Sequence, residues 1–389
     1  MRILVAHNAY RYSGGEDAVV EAEVALLRAN GHEVETYRRH NDELQTMAPA
    51  AAAAAAVWSR RSANDMETLC ARFRPDVIHL HNTFPLISPS VLWAAARRRI
   101  AVVQSLHNFR LLCPQATFLR DGRICEDCLG KTPWRGVARK CYRGSGLQSA
   151  VAAGMLVTHR ALGTYRQRIA CYIALSAFCR DKFIAGGLPP ERIRIKPNFV
   201  VAGRTPDWSA RAGGLFVGRL SAEKGLDVLA QAVAMLDENP IRLAGSGPLE
   251  ARARAAFHGN FLGQLPRAGV FELLHGASYL VAPSTCYETF GLALIEAFSC
   301  GTPVIASGHG AFADIVTDGV NGLLFKPGDA HALAAKIAWA ERHPAAMLAM
   351  GRAARRDYEA KYTPQRNHAL LMSIYEDAIK AAREERRAA

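Results

Sequence analysis

Short apolar runs alternate with helix-patterned stretches along this chain, and the alternation breaks once, between Pro197 and Gly214, before it starts again. Arg2 to His7 reads as a buried strand. Glu16 to Ala29 follows with Val19, Val20, Val24, Leu26 and Leu27 at helical spacing, and Gly31 supplies a stop. Further strands are expected at His32–Tyr37, Val77–Leu80, Ala101–Leu106, Tyr172–Leu175 and Ile193–Lys196, separated by helices such as Pro89–Arg98 and Gln148–Ile169. Strand, helix, strand at this rhythm means parallel βαβ units. After the break, strands return at Leu215–Val217, Ile241–Ala244, Tyr279–Ala282 and Pro303–Ala306. Ala330–His343, Ala345–Tyr358 and, beyond Pro364, Gln365–Arg387 read as helices. The alanine run Ala50–Ala56 reads as a helix or a loosely held surface segment without chemistry.

A chain of 389 residues exceeds the roughly 250 to 300 at which one hydrophobic core stops growing. The expected class is therefore α/β: two Rossmann-like, doubly wound domains facing a central cleft. The boundaries fall at 1–196, a linker 197–214, and 215–364. The last helix, 365–389, is expected to pack back toward the N-terminal domain. With 50% hydrophobic and 21% charged residues, the core needs no disulfide or metal. Nine cysteines follow an N-terminus, Met1-Arg2-Ile3-Leu4, that reads straight into a strand. That combination predicts reduced thiols in a cytoplasmic protein. No apolar stretch reaches the roughly 18 residues of a membrane span.

The formal charge of +13 asks for an anionic partner: nucleic acid, an anionic membrane surface or a phosphorylated small molecule. A reading helix or aromatics interleaved with basic residues would mark a nucleic-acid binder. Neither is found, which leaves the other two.

In open α/β sheets ligands sit beyond the carboxyl ends of the strands, so the loops leaving the strands carry the chemistry. Ser13-Gly14-Gly15 lets backbone amides approach an anion at a helix start, but without the GxGxxG spacing of a nicotinamide site. In Gly218-Arg219-Leu220-Ser221-Ala222-Glu223-Lys224-Gly225 two cations can converge on one point, a clamp for a diphosphate. Gly245-Ser246-Gly247 is a third glycine-rich strand exit. The richest loop is Tyr287 to Ala297: Glu288 precedes a helix beginning near Gly291, and Glu296 lies on that helix. The two carboxylates are about 8 to 12 Å apart along the axis, too far to share a metal but placed to grip two hydroxyl-bearing parts of one ligand. The amides of Phe290, Gly291 and Leu292 suit phosphate oxygens.

Together, Gly218-Arg219, Lys224-Gly225, Gly245-Ser246-Gly247 and the Glu288/Glu296 pair around Phe290-Gly291 resemble glycosyltransferase family 4. The likeness is sharpest from Gly213 to Gly328. It implies the GT-B fold and retaining transfer of a sugar from a UDP- or GDP-sugar to a growing polysaccharide or lipid-linked saccharide. By the same resemblance Arg219 and Lys224 hold the donor diphosphate, Glu288 the sugar hydroxyls and Glu296 the ribose diol. Phe290, Gly291 and Leu292 offer amides, Leu262 with Gly263 lies near the base, Gly14 and Gly15 approach the phosphates, and Gly218 and Gly245 belong to the donor-binding set. His107 faces the sugar, and no metal or other cofactor is required for catalysis because cationic residues do a divalent ion's work. The leaving phosphate itself is the proton acceptor in such enzymes. Two departures stand out: Asn108 follows the histidine where aspartate is common, which puts the charge on His107 in question, and Asp314 stands where glutamate is common. Two rivals remain open: a nucleotide-sugar epimerase or hydrolase on the same scaffold, and a non-catalytic nucleotide or nucleic-acid binder.

Two features lie outside that pattern. Cys113, Cys125, Cys128 and Cys141 fall in one loop-like segment, a candidate structural zinc site. Arg135, Arg139, Lys140, Arg143, Arg160, Arg166 and Arg168 surround Trp134, Leu147, Met155, Leu156 and Leu162. Such a basic amphipathic stretch can dock on anionic lipid at the inner face of a cell membrane.

Overall fold

The computed structural model describes residues 1–11, 14–209 and 211–388. They divide into two compact units, the first built from Met1–Phe118, Glu126–Lys196 and His368–Ala389, the second from Leu119–Cys125 and Pro197–Asn367.

In the first unit the strands are β1 (Arg2–Ala9), β2 (Glu33–His40), β3 (Val77–Leu80), β4 (Ala101–Leu106), β7 (Cys171–Ala174) and β8 (Ile193–Ile195). A two-stranded hairpin, β5 (Leu119–Arg120) and β6 (Arg123–Ile124), lies between β4 and β7 in the chain and groups with the second unit. The six strands pair in parallel in the order β2-β1-β3-β4-β7-β8. β3, β4 and β7 are buried along their whole length, because helices cover both faces of a parallel sheet. That cover makes uninterrupted apolar runs the sequence signature of such strands. The polar exceptions, His7, Asn8, His79, Gln104 and Ser105, are buried too. Each therefore needs a partner inside.

Helix Gly15–Ala29 turns Val19, Val20, Val24 and Leu27 inward, together with one carboxylate, Glu23. The long helix expected at 148–169 is two helices, Gly146–Ala161 and Thr164–Gln167, broken at Gly163, whose φ of +65° no helix contains. The alanine run is helical, Pro49–Val57. In the C-terminal helix Pro364–Ala388, Leu371, Ile374, Tyr375 and Ala378 are buried, the i, i+3, i+4, i+7 stripe of an amphipathic helix.

The second unit repeats the plan with β9 (Gly214–Val217), β10 (Ile241–Ala244), β11 (Phe261–Gly263), β12 (Tyr279–Ala282), β13 (Val304–Ser307) and β14 (Gly322–Phe325). The order is β11-β10-β9-β12-β13-β14, all parallel. Its core gathers Phe216, Leu229, Leu243, Tyr279, Ile305, Leu333 and Ile337, each side chain contributing about 1.5 to 3 kcal/mol by leaving water. Both sheets are doubly wound, as the sequence rhythm predicts. In each, chain order reverses at one place: between β1 and β3 in the first, between β9 and β12 in the second. A ligand crevice forms at such a switch point, beyond the strands' carboxyl ends.

Candidate active site

At the switch point of the second unit the loop leaving β9 is locked by backbone to the exit of β10 on one side and to the loop leaving β12 on the other. Gly218 N–H donates to Ala244 O at 3.2 Å, Leu220 N–H to Ser246 O at 2.9 Å, and Thr285 N–H to Glu223 O at 2.9 Å. Two glycines make this approach possible. Gly245 has φ +152° and a Cβ there would stand 1.9 Å from Gly218 O. Gly225 has φ +75° and its Cβ would stand 1.9 Å from Pro283 O.

The result is that Lys224 Nζ lies 2.6 Å from Glu288 Oε1, an oxygen that also accepts from Ser284 Oγ at 2.8 Å. Burial disfavours the charge on Lys224, but the Glu288 carboxylate outweighs it and raises the lysine above its ordinary pKa. The pair is not sealed off: its side chains are 35% and 20% exposed. Arg219, on the same loop, is exposed. Glu288 is held from behind, its carbonyl accepting from Ala311 N–H at 3.1 Å. His309 Nε2 sits 3.0 Å from Ser284 O.

Helix Leu292–Ser299 starts at Gly291 with no side-chain cap; Leu294 N–H donates to Gly291 O at 3.0 Å, and the amides ahead of it have no acceptor within the helix. Phe290 is buried edge-on to Tyr362. Glu296 is raised by burial, opposed by Arg267 at 3.5 Å. Leu262 lies in the middle of β11, and the next residue, Gly263, accepts from Gly245 N–H at 2.8 Å. Arg219, Lys224, Glu288 and the Gly291 helix start thus belong to loops of one switch point. Positive charge and amide ends beside acceptor carboxylates can hold an anionic group and a hydroxylated one together.

The first unit shows a different chemistry at its own strand ends. Asp17 organises the glycine loop: Gly14 N–H donates to its Oδ2 at 2.9 Å, Tyr10 N–H to its Oδ1 at 3.2 Å, and His7 Nε2 lies 2.8 Å from Oδ1. The Gly14 amide, expected to face a phosphate, is therefore occupied by the protein's own carboxylate; Ser13 lies outside the described residues. His107 follows β4 directly and His81 follows β3, and His81 Nδ1 is 2.8 Å from His107 Nε2 with the ring planes within 16° of parallel. Behind them, Glu23 Oε1 lies 3.3 Å from His81 Nε2 and 3.0 Å from His79 Nδ1, while Lys196 Nζ meets Glu23 Oε2 at 2.9 Å.

Burial, followed by the neighbouring imidazoles, pushes His107 well below its ordinary value, and His81 to about 3. Burial acts against the charge on Glu23 as well, but Lys196 and His79 overcome it and hold the carboxyl well below its usual range. Sequence reasoning passed over Glu23, His79, His81 and Lys196, and also Ser284 and His309. The His-x-His spacing on a strand ending at a switch point was the one signal available.

Glu23, His79 and His81 are the one group of three or more His, Cys, Asp or Glu among the described residues whose ligand atoms lie within 4.8 Å of one another. Cys113, Cys125, Cys128 and Cys141 are not members of that group. The Glu23 group itself is already neutralised by Lys196, and His79 also meets Tyr375 Oη at 2.7 Å and Ser105 Oγ at 2.9 Å.

Two family descriptions match the chain in succession: a glycosyl transferase 4-like domain over residues 14–198 and glycosyl transferases group 1 over residues 214–357. The sulfoquinovosyl transferase SQD2 of Arabidopsis thaliana is 26% identical over 331 residues, 78% of this chain and 58% of that protein. The chain spans between about a third and three fifths of the length of the curated relatives it matches. Among solved structures, sucrose-phosphate synthase from Thermosynechococcus elongatus superposes with a TM-score of 0.72 at 19% identity, covering 98% of this chain and 99% of that one. HepE from Anabaena, solved in complex with UDP, gives 0.69 at 18% identity, covering 97% and 100%. On this evidence the chain belongs to the glycosyltransferases of the family 4 type and has the GT-B fold.

Proposed function

We propose that this protein is a retaining hexosyltransferase that moves a sugar from a UDP- or GDP-sugar to a saccharide or lipid-linked acceptor. The observation that carries the reading is the Lys224–Glu288 pair at 2.6 Å, set beside exposed Arg219 and an uncapped helix start. On donor binding the diphosphate takes the two cations and the first-turn amides, and Glu288, released from Lys224, accepts from sugar hydroxyls. The bond between the anomeric carbon and the β-phosphate oxygen breaks as the acceptor oxygen bonds to the same face, and the acceptor's proton passes to the leaving phosphate. Arg219 and Lys224 stabilise the charge that develops there, the kind of preorganised contribution worth about 3 to 4 kcal/mol. Glu296 holds the ribose diol, and His107 meets a hydroxyl of the transferred sugar. The residues offered to the diphosphate are cations, which is why no metal or other cofactor is assigned a role. HepE, of the same fold, holds UDP, which supports a uridine donor.

The acceptor side is read from a surface of the first unit. Trp134 and Leu147 are 54% and 75% exposed among Arg135, Lys140 and Arg143, and no described helix is long and apolar enough to cross a membrane. The exposed apolar and basic residues support the reading that this surface docks on anionic lipid, which we place on the cytoplasmic side as part of the proposal. Two measurements test the proposal. Incubation of UDP- and GDP-sugars with polysaccharide and lipid-linked acceptors should give a product of unchanged anomeric configuration; free sugar or an epimer formed without acceptor would contradict it. Sedimentation with vesicles should require anionic lipid and weaken with salt.

A further inference from the structure

We propose that Glu23, His81 and His107 form a relay that fixes which ring nitrogen of His107 carries its hydrogen. His81 is a positioning residue for His107, and Glu23, anchored by Lys196, positions His81. Only the catalytic consequence rests on the reading of His107 as a sugar-facing group; the tautomer does not.

The assignment follows from donor and acceptor bookkeeping. Glu23 is ionised, with Lys196 Nζ on Oε2 at 2.9 Å, and an ionised carboxylate only accepts. His81 Nε2 faces Oε1 at 3.3 Å, a close contact that falls short of a regular hydrogen bond, and His79 Nδ1 stands 3.0 Å from the same oxygen. A lone pair pointed at that oxygen would be repelled, so Nε2 carries the hydrogen. A neutral imidazole protonated on Nε2 has its lone pair on Nδ1. That Nδ1 lies 2.8 Å from His107 Nε2, so His107 Nε2 must be the donor. His107, kept neutral by its burial and its imidazole neighbours, then carries its lone pair on Nδ1.

The fold supplies each link for a stated reason. His79 and His81 alternate along β3 and its end, so they share one face, and both reach Glu23 on the helix Gly15–Ala29. His79 closes the other flank of the carboxylate at 3.0 Å. His81, Glu23, His7 and His79 act on His107 electrostatically, and Glu16 and Arg110 line a pocket of about 30 Å³ with His81 and His107.

Long-range ¹⁵N–¹H correlation spectra of the full chain, with the His107 signals identified through His107→Asn, test the proposal without donor or acceptor. The neutral Nε2–H tautomer is expected, unchanged from about pH 8 to about pH 5.5. An Nδ1–H tautomer, or titration near the ordinary imidazole value, would overturn it. In His81→Phe, which removes the acceptor but keeps a ring, His107 should show mixed tautomers. Its kcat should fall about a hundredfold with donor KM within about twofold, and His81→Asn should restore part of the loss. Mixed tautomers in His81→Phe alongside full activity in His107→Asn would leave the relay standing and remove His107 from the transfer reaction. An unchanged tautomer in His81→Phe would sink the relay itself.

Discussion

In the first unit the ionisable groups at the strand ends are mostly buried and paired with one another: Glu23 with Lys196, sealed from solvent, His81 with the half-buried His107, and His7 with Asp17. In the second unit the corresponding groups stay within reach of solvent, with Lys224 and Glu288 partly exposed and Arg219 exposed. Both units place charge at a topological switch point, yet to opposite ends. Sealed charge is expensive to form and, once paired, fixes proton positions. Reachable charge contributes little to stability and remains free to trade its internal partner for a ligand. The difference separates a unit that sets hydrogen positions from one that grips a diphosphate.

The contrast is broken most easily where the buried pair is severed. Lys196→Met leaves Glu23 ionised without its ammonium, and denaturant unfolding of the first unit should lose about 3 to 5 kcal/mol. A loss under about 1 kcal/mol would mean that this charge is not sealed. Alanine at Arg219, Lys224 or Glu288 should act on the other side of the comparison. Transfer assayed as kcat/KM should fall about 10²- to 10³-fold, while stability shifts by less than about 1 kcal/mol because the groups are partly solvated. Near-wild-type transfer in all three would remove the site.

Acid separates the units further. His81 is depressed in the folded state to about 3, so its contribution is full above the ordinary value near 6.5 and is lost as pH falls from there. By about pH 5 the first unit should be weaker by about 2 kcal/mol. Lys224 is raised, so its contribution persists at acid pH and disappears only as alkali passes its folded value. Unfolding followed by probes in each unit should show the first giving way to acid alone; equal loss in both would contradict the assignment. The smallest effect is expected from Arg267→Ala. Its partner Glu296 owes its position to the helix Leu292–Ser299, so donor KM should move by less than about fivefold.

What could be read beforehand divides along the same line. Strands buried on both faces, such as Val77–Leu80 and Ile241–Ala244, announce themselves as apolar runs. β11, three partly exposed residues, and the hairpin Leu119–Arg120 with Arg123–Ile124 are too short and too wet to do so. The second unit's loop chemistry was legible because Arg219 to Gly225 and Glu288 to Glu296 are compact segments. The relay was not, since Glu23 and Lys196 stand 173 residues apart and His79 inside an apolar strand looks like filler. The order of strands, not their pattern, brings those groups together.

The central claim is that Arg219 and Lys224 grip a diphosphate while Glu288 takes its sugar, and calorimetric titration with UDP, UMP, GDP and GMP tests it most directly. One diphosphate should bind at least about tenfold more tightly than its monophosphate, a difference of about 1.4 kcal/mol, and Lys224→Met and Arg219→Met should each erase that preference. Binding of neither diphosphate, or a preference left intact in both variants, would contradict the account.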